Sequence, residues 1–425
     1  MTVATTRIHP LLLAAFEALD AVRASWCVLR GESELGRPRD VDLLVPDEDI
    51  ERTSPALERL GFVRLPTVGH GLHRFFVTYV EGDGLWLRLD IVGDLGFGRD
   101  GAFGSTAARG CLARAVRVDG ARLLATDDAF WTLLVRCLLD LGEIPPRHAP
   151  RVQDLAAAAT ETNPVALDLQ QCLPDGWDPG RVRACAAAAA WPELAALAPE
   201  IGRRWARRRP ATFVRRRAAG NALRLARPVV TAVRARGVSV ALLGPDGSGK
   251  SSLTDSFAEA FTPLRVEKLY LGLYSDIRTP GRSGRLGRAV RAAWLVHARF
   301  AFRRHLLRGR IVICDRHTVE ALLGEPPGRL LGRLRRQAIA RAVPPPDVLV
   351  VLDAPAEVLA ARKPEHTVAE LEAQRGRYLD LARLVPGTVV VDTTRDREAV
   401  LRGIVGLVWN AYSEVIRRGT ASLRQ

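Results

Sequence analysis

From residue 238 onward, short near-continuous apolar runs alternate with longer stretches in which apolar positions recur every three or four residues, a pattern that predicts strands and helices in turn. The runs are Val238–Leu243, Glu267–Leu271, Arg310–Cys314, Asp347–Leu352 and Thr388–Val391. Strands apolar on both faces belong in a parallel sheet covered on both sides, so ligand groups are expected at the strand C-terminal ends. The first 145 residues read as α+β instead. A helical pattern covers Pro10–Ala24, short strand-like runs cover Trp26–Leu29 and Val41–Val45, and Pro55–Leu60 is helical. Phe75–Val80 and Leu85–Val92 flank the turn Glu81-Gly82-Asp83-Gly84 as a hairpin, and Thr126-Asp127-Asp128 opens a helix over Ala129–Leu141. Residues 146–200 are broken by seven prolines, from Pro146 to Pro199, and are expected to form a small helical appendage. The expected partition is therefore 1–145, 146–200, a connector at 201–237, and 238–417.

Composition narrows the class. A chain of 425 residues with 48% hydrophobic content builds two or three cores. Its six cysteines are scattered without a CxxC pair, which excludes a disulfide framework or a zinc ribbon and fits reduced thiols in the cytoplasm. The apolar run Leu11–Phe16 stops at Glu17 without a basic leader or a cleavage site, and no window reaches eighteen uncharged apolar residues, so neither a signal nor a spanning segment is expected.

The net charge of +15 is concentrated. Residues 201–236 hold twelve arginines and no acid, and a second acid-free stretch runs from Ile277 to Cys314. The first suits an anionic membrane surface, or it is a solvated Arg-rich linker; nucleic acid is disfavoured because stacking aromatics are not regularly interleaved.

The sharpest chemistry lies in Val238–Leu253, VSVALLGPDGSGKSSL, which fits GxxxxGK[ST] between a strand and a helix. Gly244, Pro245, Asp246, Gly247, Ser248 and Gly249 form the loop whose backbone N–H groups would cradle phosphates, Lys250 would reach the outer phosphates, and Ser251, followed by Ser252, would take Mg²⁺. Lys250 is one of only three lysines in the chain, the others being Lys268 and Lys363, so a lysine here is an exception to the chain's use of arginine. Asp315 directly follows RIVIC and is placed to orient the same Mg²⁺; Asp353 and Asp392 close two further strands, where a helix-cap role is an equal alternative.

Asp40 and Asp42, at i and i+2 in RDVDLLV, project from one face of a strand, and Asp90 in LWLRLDIVG would bring a third carboxylate to that edge as a second metal site. In the order Gly31, Ser33, Asp40, Asp42, Asp90 these residues resemble the nucleotidyltransferase superfold, although Glu32 stands between the Gly and Ser that this family has adjacent. The resemblance covers roughly residues 1–145 and implies nucleotidyl transfer, or a degenerate regulatory relative; unrelated exposed acids remain the third reading.

GPDGSGKSSL, ICDRH and VLDAPAEVLAARK followed by EHT and ELEAQRGRYLDL resemble thymidylate kinase and its relatives among P-loop nucleoside monophosphate kinases, over about residues 237–417. That resemblance implies Asp246 near the acceptor sugar hydroxyl, Arg316 near the acceptor phosphate, Arg362 or Lys363 in a mobile lid, and Arg375 and Arg377 within reach of the site. The family's acidic Arg-Glu-Pro-Gly type segment is replaced here by LYLGLYSDIRTPGRSGR, so an anionic acceptor is implied but thymidylate itself is not. The expectation is an ATP- and Mg²⁺-dependent kinase acting on a nucleoside monophosphate or similar phosphorylated acceptor, with a homodimer as an open option. Two alternatives stay open: a bifunctional or primary nucleotidyltransferase using Asp40, Asp42 and Asp90, and an NTP-dependent switch docking on an anionic surface through 201–237.

Overall fold

The structure is a computed structural model that describes residues 8–30, 35–66, 73–234, 236–271, 285–324 and 328–421. It divides into two compact units, Met1–Thr78 with Leu87–Arg227, and Tyr79–Trp86 with Pro228–Gln425.

The first unit begins α1 (Pro10–Ala21), β1 (Cys27–Arg30), β2 (Asp40–Leu44), α2 (Asp47–Arg59), β3 (Val63–Arg64), β4 (His73–Val80) and β5 (Leu85–Val92). It continues β6 (Gly96–Phe97), β7 (Phe103–Gly104), α3 (Ala108–Arg114), β8 (Val116–Val118), β9 (Ala121–Leu123) and α4 (Thr126–Arg136), which runs into a wider turn over Cys137–Leu141. Its helical part is α5 (Ala149–Ala158), α6 (Pro164–Gln170), α7 (Pro179–Ala187), α8 (Trp191–Arg208) and α9 (Pro210–Arg234). Seven strands form one mixed sheet in the order β3-β4-β5-β2-β1-β9-β8. β2 runs parallel to β5 and antiparallel to β1.

Alternation along β1 and β2 sorts side chains to two cores. Val28, Val41 and Leu43 pack with Leu12, Phe16 and Leu19 of α1, whereas Cys27 and Leu44 join Phe130, Trp131, Leu155, Leu194 and Trp205. Residues 146–200, expected as an appendage, therefore supply part of a core shared with the sheet. Asp128 is fully buried beneath them; Arg114 donates to it at 2.6 and 3.1 Å and Asn163 Nδ2 at 2.5 Å.

The Arg-rich stretch is helix rather than open linker. α8 buries Leu194, Leu197, Ile201 and Trp205, and arginines on the other faces find acids of the same unit. Arg208 pairs with Asp168 at 3.3 Å, Arg216 with Asp94 at 2.6 Å and Arg224 with Asp100 at 2.6 Å. Part of the local cation excess is thus compensated within the unit.

The second unit carries β10 (Ser239–Leu243), α10 (Lys250–Ala260), β11 (Val266–Tyr270), α11 (Arg285–Leu307), β12 (Ile311–Asp315), α12 (Leu330–Ala340) and β13 (Val348–Asp353). α13 (Ala356–Arg362), α14 (Val368–Leu384), β14 (Val389–Asp392) and α15 (Arg397–Ala421) complete it. All strand pairs are parallel, in the order β11-β12-β10-β13-β14. Every residue of β10 is buried, as a strand covered on both faces requires. The chain leaves β10 toward one side and returns on both, so a crevice opens at its C-terminal end, between β12 and β13. The stretch Arg397–Gly419 within α15 is long and apolar enough to cross a membrane, with mean hydropathy 1.2, and half of it is buried within the unit. All six cysteines are unpaired.

Candidate active site

The chain leaves Leu243 and turns through Gly244–Gly249 before α10 starts at Lys250. Backbone packing dictates the glycines. A Cβ on Gly244 would lie 2.6 Å from Leu352 O and 2.8 Å from Ser248 Oγ; one on Gly247, whose φ is +83°, would lie 2.7 Å from Leu359 O. The loop therefore closes into a concavity of backbone N–H groups at the N-terminus of an eleven-residue helix, where anions are favoured.

Lys250 lies buried with Nζ donating to Gly244 O and Pro245 O, each at 2.8 Å. Burial, reinforced by the Arg316 charge, pulls its pKa down to about 8. Ser251 Oγ donates to Asp315 Oδ2 at 2.8 Å, so the hydroxyl of α10 and the carboxylate ending β12 meet as the two sequence patterns implied. Ser248 Oγ is buried without a hydrogen-bond partner among the described residues. A loop that admits no side chain at Gly244 or Gly247, an orphaned buried hydroxyl, a desolvated ammonium and a hydroxyl–carboxylate pair fit a phosphate chain with a hard divalent cation.

Arg316 follows Asp315 with φ +69°, a backbone region that non-glycine residues rarely adopt. Its Nη2 lies 3.4 Å from Asp246 Oδ1 and its Nη1 lies 3.8 Å from Glu320. Asp246 also meets His366 Nε2 at 3.3 Å, and its backbone N–H donates to Gln374 Oε1 at 3.4 Å. Loop, β12 and the α13–α14 segment thus converge on Asp246 and Arg316.

Sequence reasoning passed over His366, Gln374, Glu320 and Tyr378, which bear on the site from the segment before α14, from α14 itself and from the turn after β12. His366 stands in EHT and Gln374 and Tyr378 in ELEAQRGRYLDL, where the resemblance assigned them no role; Glu320 stands in neither. For Glu320 the available signal was its place as an isolated acid five residues beyond Asp315 in an otherwise apolar stretch.

Other expected site residues are engaged elsewhere. Arg362, at the end of α13, donates to Thr393 O at 2.8 Å and to its hydroxyl at 3.4 Å, rather than covering the loop. Lys363 pairs with Glu365 at 3.2 Å. Arg375 is clamped by Asp353 through two hydrogen bonds of 2.7 and 3.1 Å, because α14 lays it over the end of β13. Asp392 accepts from the N–H and hydroxyl of Thr394, at 2.8 and 2.7 Å, and so closes its own turn. A cavity of about 880 Å³, bordered by Leu322, Arg333, Arg336, Gln337 and Arg377, includes no phosphate-loop residue.

In the first unit, Asp42 and Asp90 are cross-strand neighbours in register, and Asp40 is opposite Arg88. Burial raises the Asp42 pKa, opposed by Arg30 and reinforced by Asp90 and Asp40. Each carboxylate is met by a cation: Arg88 grips Asp40 at 2.5 and 2.9 Å, Arg30 lies 2.6 Å from Asp42, and His73 Nδ1 lies 2.9 Å from both Asp90 oxygens. The hydrogen bond to Asp90 raises the His73 pKa. The three carboxylates expected as a second metal site thus stand in ion pairs in this structure, and among the described residues no group of three carboxylate, His or Cys side chains converges as ligands. Gly31, Glu32 and Ser33 lie outside the described residues, as do residues 272–284 of the segment LYLGLYSDIRTPGRSGR.

No family model matches the chain. A thymidylate kinase of Xanthomonas euvesicatoria pv. vesicatoria (strain 85-10) is 32% identical over 197 residues, which is 42% of this chain and 86% of that protein. A thymidylate kinase of Pseudomonas putida (strain W619) is 30% identical over 199 residues, 40% of this chain and 95% of that protein. Among solved structures, thymidylate kinase from Candida albicans matches 42% of this chain and 93% of its own length at 15% identity, with a TM-score of 0.29.

Proposed function

The chain belongs to the thymidylate kinase family through its C-terminal half, and from that premise we propose that its second unit transfers the γ-phosphoryl group of ATP to a nucleoside monophosphate, thymidylate being the first acceptor to try. The observation that carries this reading is the meeting of Lys250, the Ser251–Asp315 pair and the Arg316–Asp246 pair at the mouth of one glycine loop.

Phosphoryl transfer spreads charge over oxygens and asks little covalent chemistry of a protein, so positioning and charge neutralisation supply most of the rate. Mg²⁺, when bound, would neutralise phosphate charge. Ser251 and Asp315 would hold it. Lys250, now turned onto Gly244 O and Pro245 O, would exchange those carbonyls for phosphate oxygens, whose negative charge would favour its protonated form. Asp246 is within reach of an acceptor hydroxyl beside the loop, and Arg316 of an acceptor phosphate. The segment bearing His366 would cover the loop and exclude water.

The test is ADP production from Mg·ATP across a panel of nucleoside monophosphates. Lys250→Ala is expected to lose on the order of 10²–10³ in rate, the effect of deleting one preorganised charge-stabilising group. Equal turnover by this variant, or ADP formation indifferent to every acceptor, refutes the reading.

A second reading, nucleotidyl transfer in the first unit, draws on the register of Asp42 with Asp90 and requires Arg30, Arg88 and His73 to release the carboxylates. It predicts pyrophosphate release that Asp40→Ala with Asp42→Ala abolishes while ADP formation persists. No pyrophosphate with any acceptor removes it.

A further inference from the structure

Glu320 has no part in the scheme above, yet it is 7% exposed and stands behind the arginine assigned to the acceptor. It sits on a tight helical turn, Thr318–Leu322, directly after β12, where its N–H donates to His317 O. Tyr378 OH, from α14, donates to Oε1 at 2.8 Å and fixes the carboxyl group, while Arg316 Nη1 approaches the same oxygen at 3.8 Å. The other arm of Arg316 is 3.4 Å from Asp246. One guanidinium therefore stands between two carboxylates, one on the loop side and one buried. Burial pushes the Glu320 pKa up, opposed by Arg316, the Tyr378 hydrogen bond and Lys250. A buried acid is retained here at an energetic disadvantage, and its hydrogen bond from Tyr378 keeps it aimed at the guanidinium.

An incoming phosphate must compete with this carboxylate for Arg316, and like charges close together in a half-buried pocket repel strongly. We propose that Glu320 is a specificity-determining residue of the acceptor site, which weakens capture of the acceptor's dianionic phosphate beside Arg316 and so disfavours acceptors held through that phosphate alone. The inference rests on the kinase reading, because that reading assigns Arg316 to the acceptor.

The test compares wild type, Glu320→Gln and Glu320→Asp at pH 8, with thymidine monophosphate as the dianionic probe. The Gln variant keeps an oxygen to accept from Tyr378 but carries no charge. Its acceptor KM is expected to fall about tenfold, the effect of about 1.4 kcal/mol, while the KM for ATP stays put. Glu320→Asp retains the charge and is expected not to reproduce the fall. An unchanged or higher acceptor KM in Glu320→Gln overturns the proposal, as does a parallel shift in both KM values, which marks a merely structural effect.

Titration calorimetry with the same probe separates this failure from failure of the kinase reading. If no acceptor yields ADP, the kinase reading fails by itself. Tighter binding by Glu320→Gln than by wild type still supports the role of Glu320, whereas equal affinity, or binding by neither protein, overturns it.

Discussion

Replacing Gly247 and Gly249 by alanine, one at a time, separates two demands on the phosphate loop. Both residues have positive φ, +83° and +91°, so either alanine carries the strain of a left-handed backbone, about 1–2 kcal/mol. At Gly249 the new Cβ meets nothing nearer than Ser252 Oγ at 3.8 Å, so strain is its whole effect. At Gly247 the Cβ would stand 2.7 Å from Leu359 O and 3.4 Å from the carbonyl carbon, and α13 must move off the loop, adding about 1–3 kcal/mol of overpacking. Glu357 and Leu359 belong to the helix that Asp353 and Pro355 launch from β13, so this movement is resisted by the sheet. With about 2–4 °C per kcal/mol for a domain of 150–250 residues, Gly249→Ala is expected to lower Tm by roughly 2–8 °C, and Gly247→Ala by several degrees more. Tryptophan-monitored thermal unfolding gives the numbers, and a nucleotide titration on the same samples is expected to show the larger affinity loss for Gly247→Ala. Equal Tm losses, or a greater loss for Gly249→Ala, would refute the argument that Leu359 bars a side chain at 247.

Three further outcomes are expected. His317 is fully buried with Nδ1 accepting from Val319 N–H, and burial lowers its pKa from 6.5 to about 4; the unfolded chain takes the proton first, so stability falls as pH drops from about 6.5 to about 4, by up to about 3 kcal/mol. His317→Asn, which keeps the cap acceptor, is expected to flatten that window in denaturant titrations, and an unchanged slope counts against the assignment. Asp128→Ala leaves Arg114 and Asn163 without their buried partner and is expected to destabilise the first unit by about 3–5 kcal/mol in urea unfolding; a loss under 1 kcal/mol contradicts the hub role. Ser251→Ala removes the hydroxyl paired with Asp315 and is expected to raise the Mg²⁺ concentration needed for half-maximal ADP formation, whereas an unaltered requirement removes Ser251 from the ion's ligands.

The sequence by itself determined what depends on neighbours along the chain. Near-continuous apolar runs specified β10 to β14 to within a residue or two: the inner strands β12, β10 and β13 are buried on both faces, while the edge strands β11 and β14 are half-exposed and β11 keeps Glu267 and Lys268. The phosphate loop was equally legible, since the backbone conformation at Gly244, Gly247 and Gly249 restricts which residues can stand there. α2 was read too short because Pro55 looks like a boundary; within the helix, Asp47, Glu48 and Asp49 in the first turn and the buried Ile50, Ala56 and Leu57 outweigh the missing donor.

What depends on partners distant in sequence was decided only by the tertiary structure. Asp40, Asp42 and Asp90 were correctly placed on neighbouring strands, but nothing in RDVDLLV foretold that Arg88, Arg30 and His73 would meet them. Arg375 was expected within reach of the site and is held by Asp353, 22 residues away, because the direction of α14 is set by packing against β13 and α13. Arg-rich helices that looked like open linker or membrane-facing surface answer Asp94, Asp100 and Asp168 of their own unit. Glu320 and Tyr378 lie 58 positions apart and acquire meaning only where the turn after β12 meets α14. A charge pattern fixes how many cations a chain holds, whereas the counter-charge each one finds is a property of the folded packing.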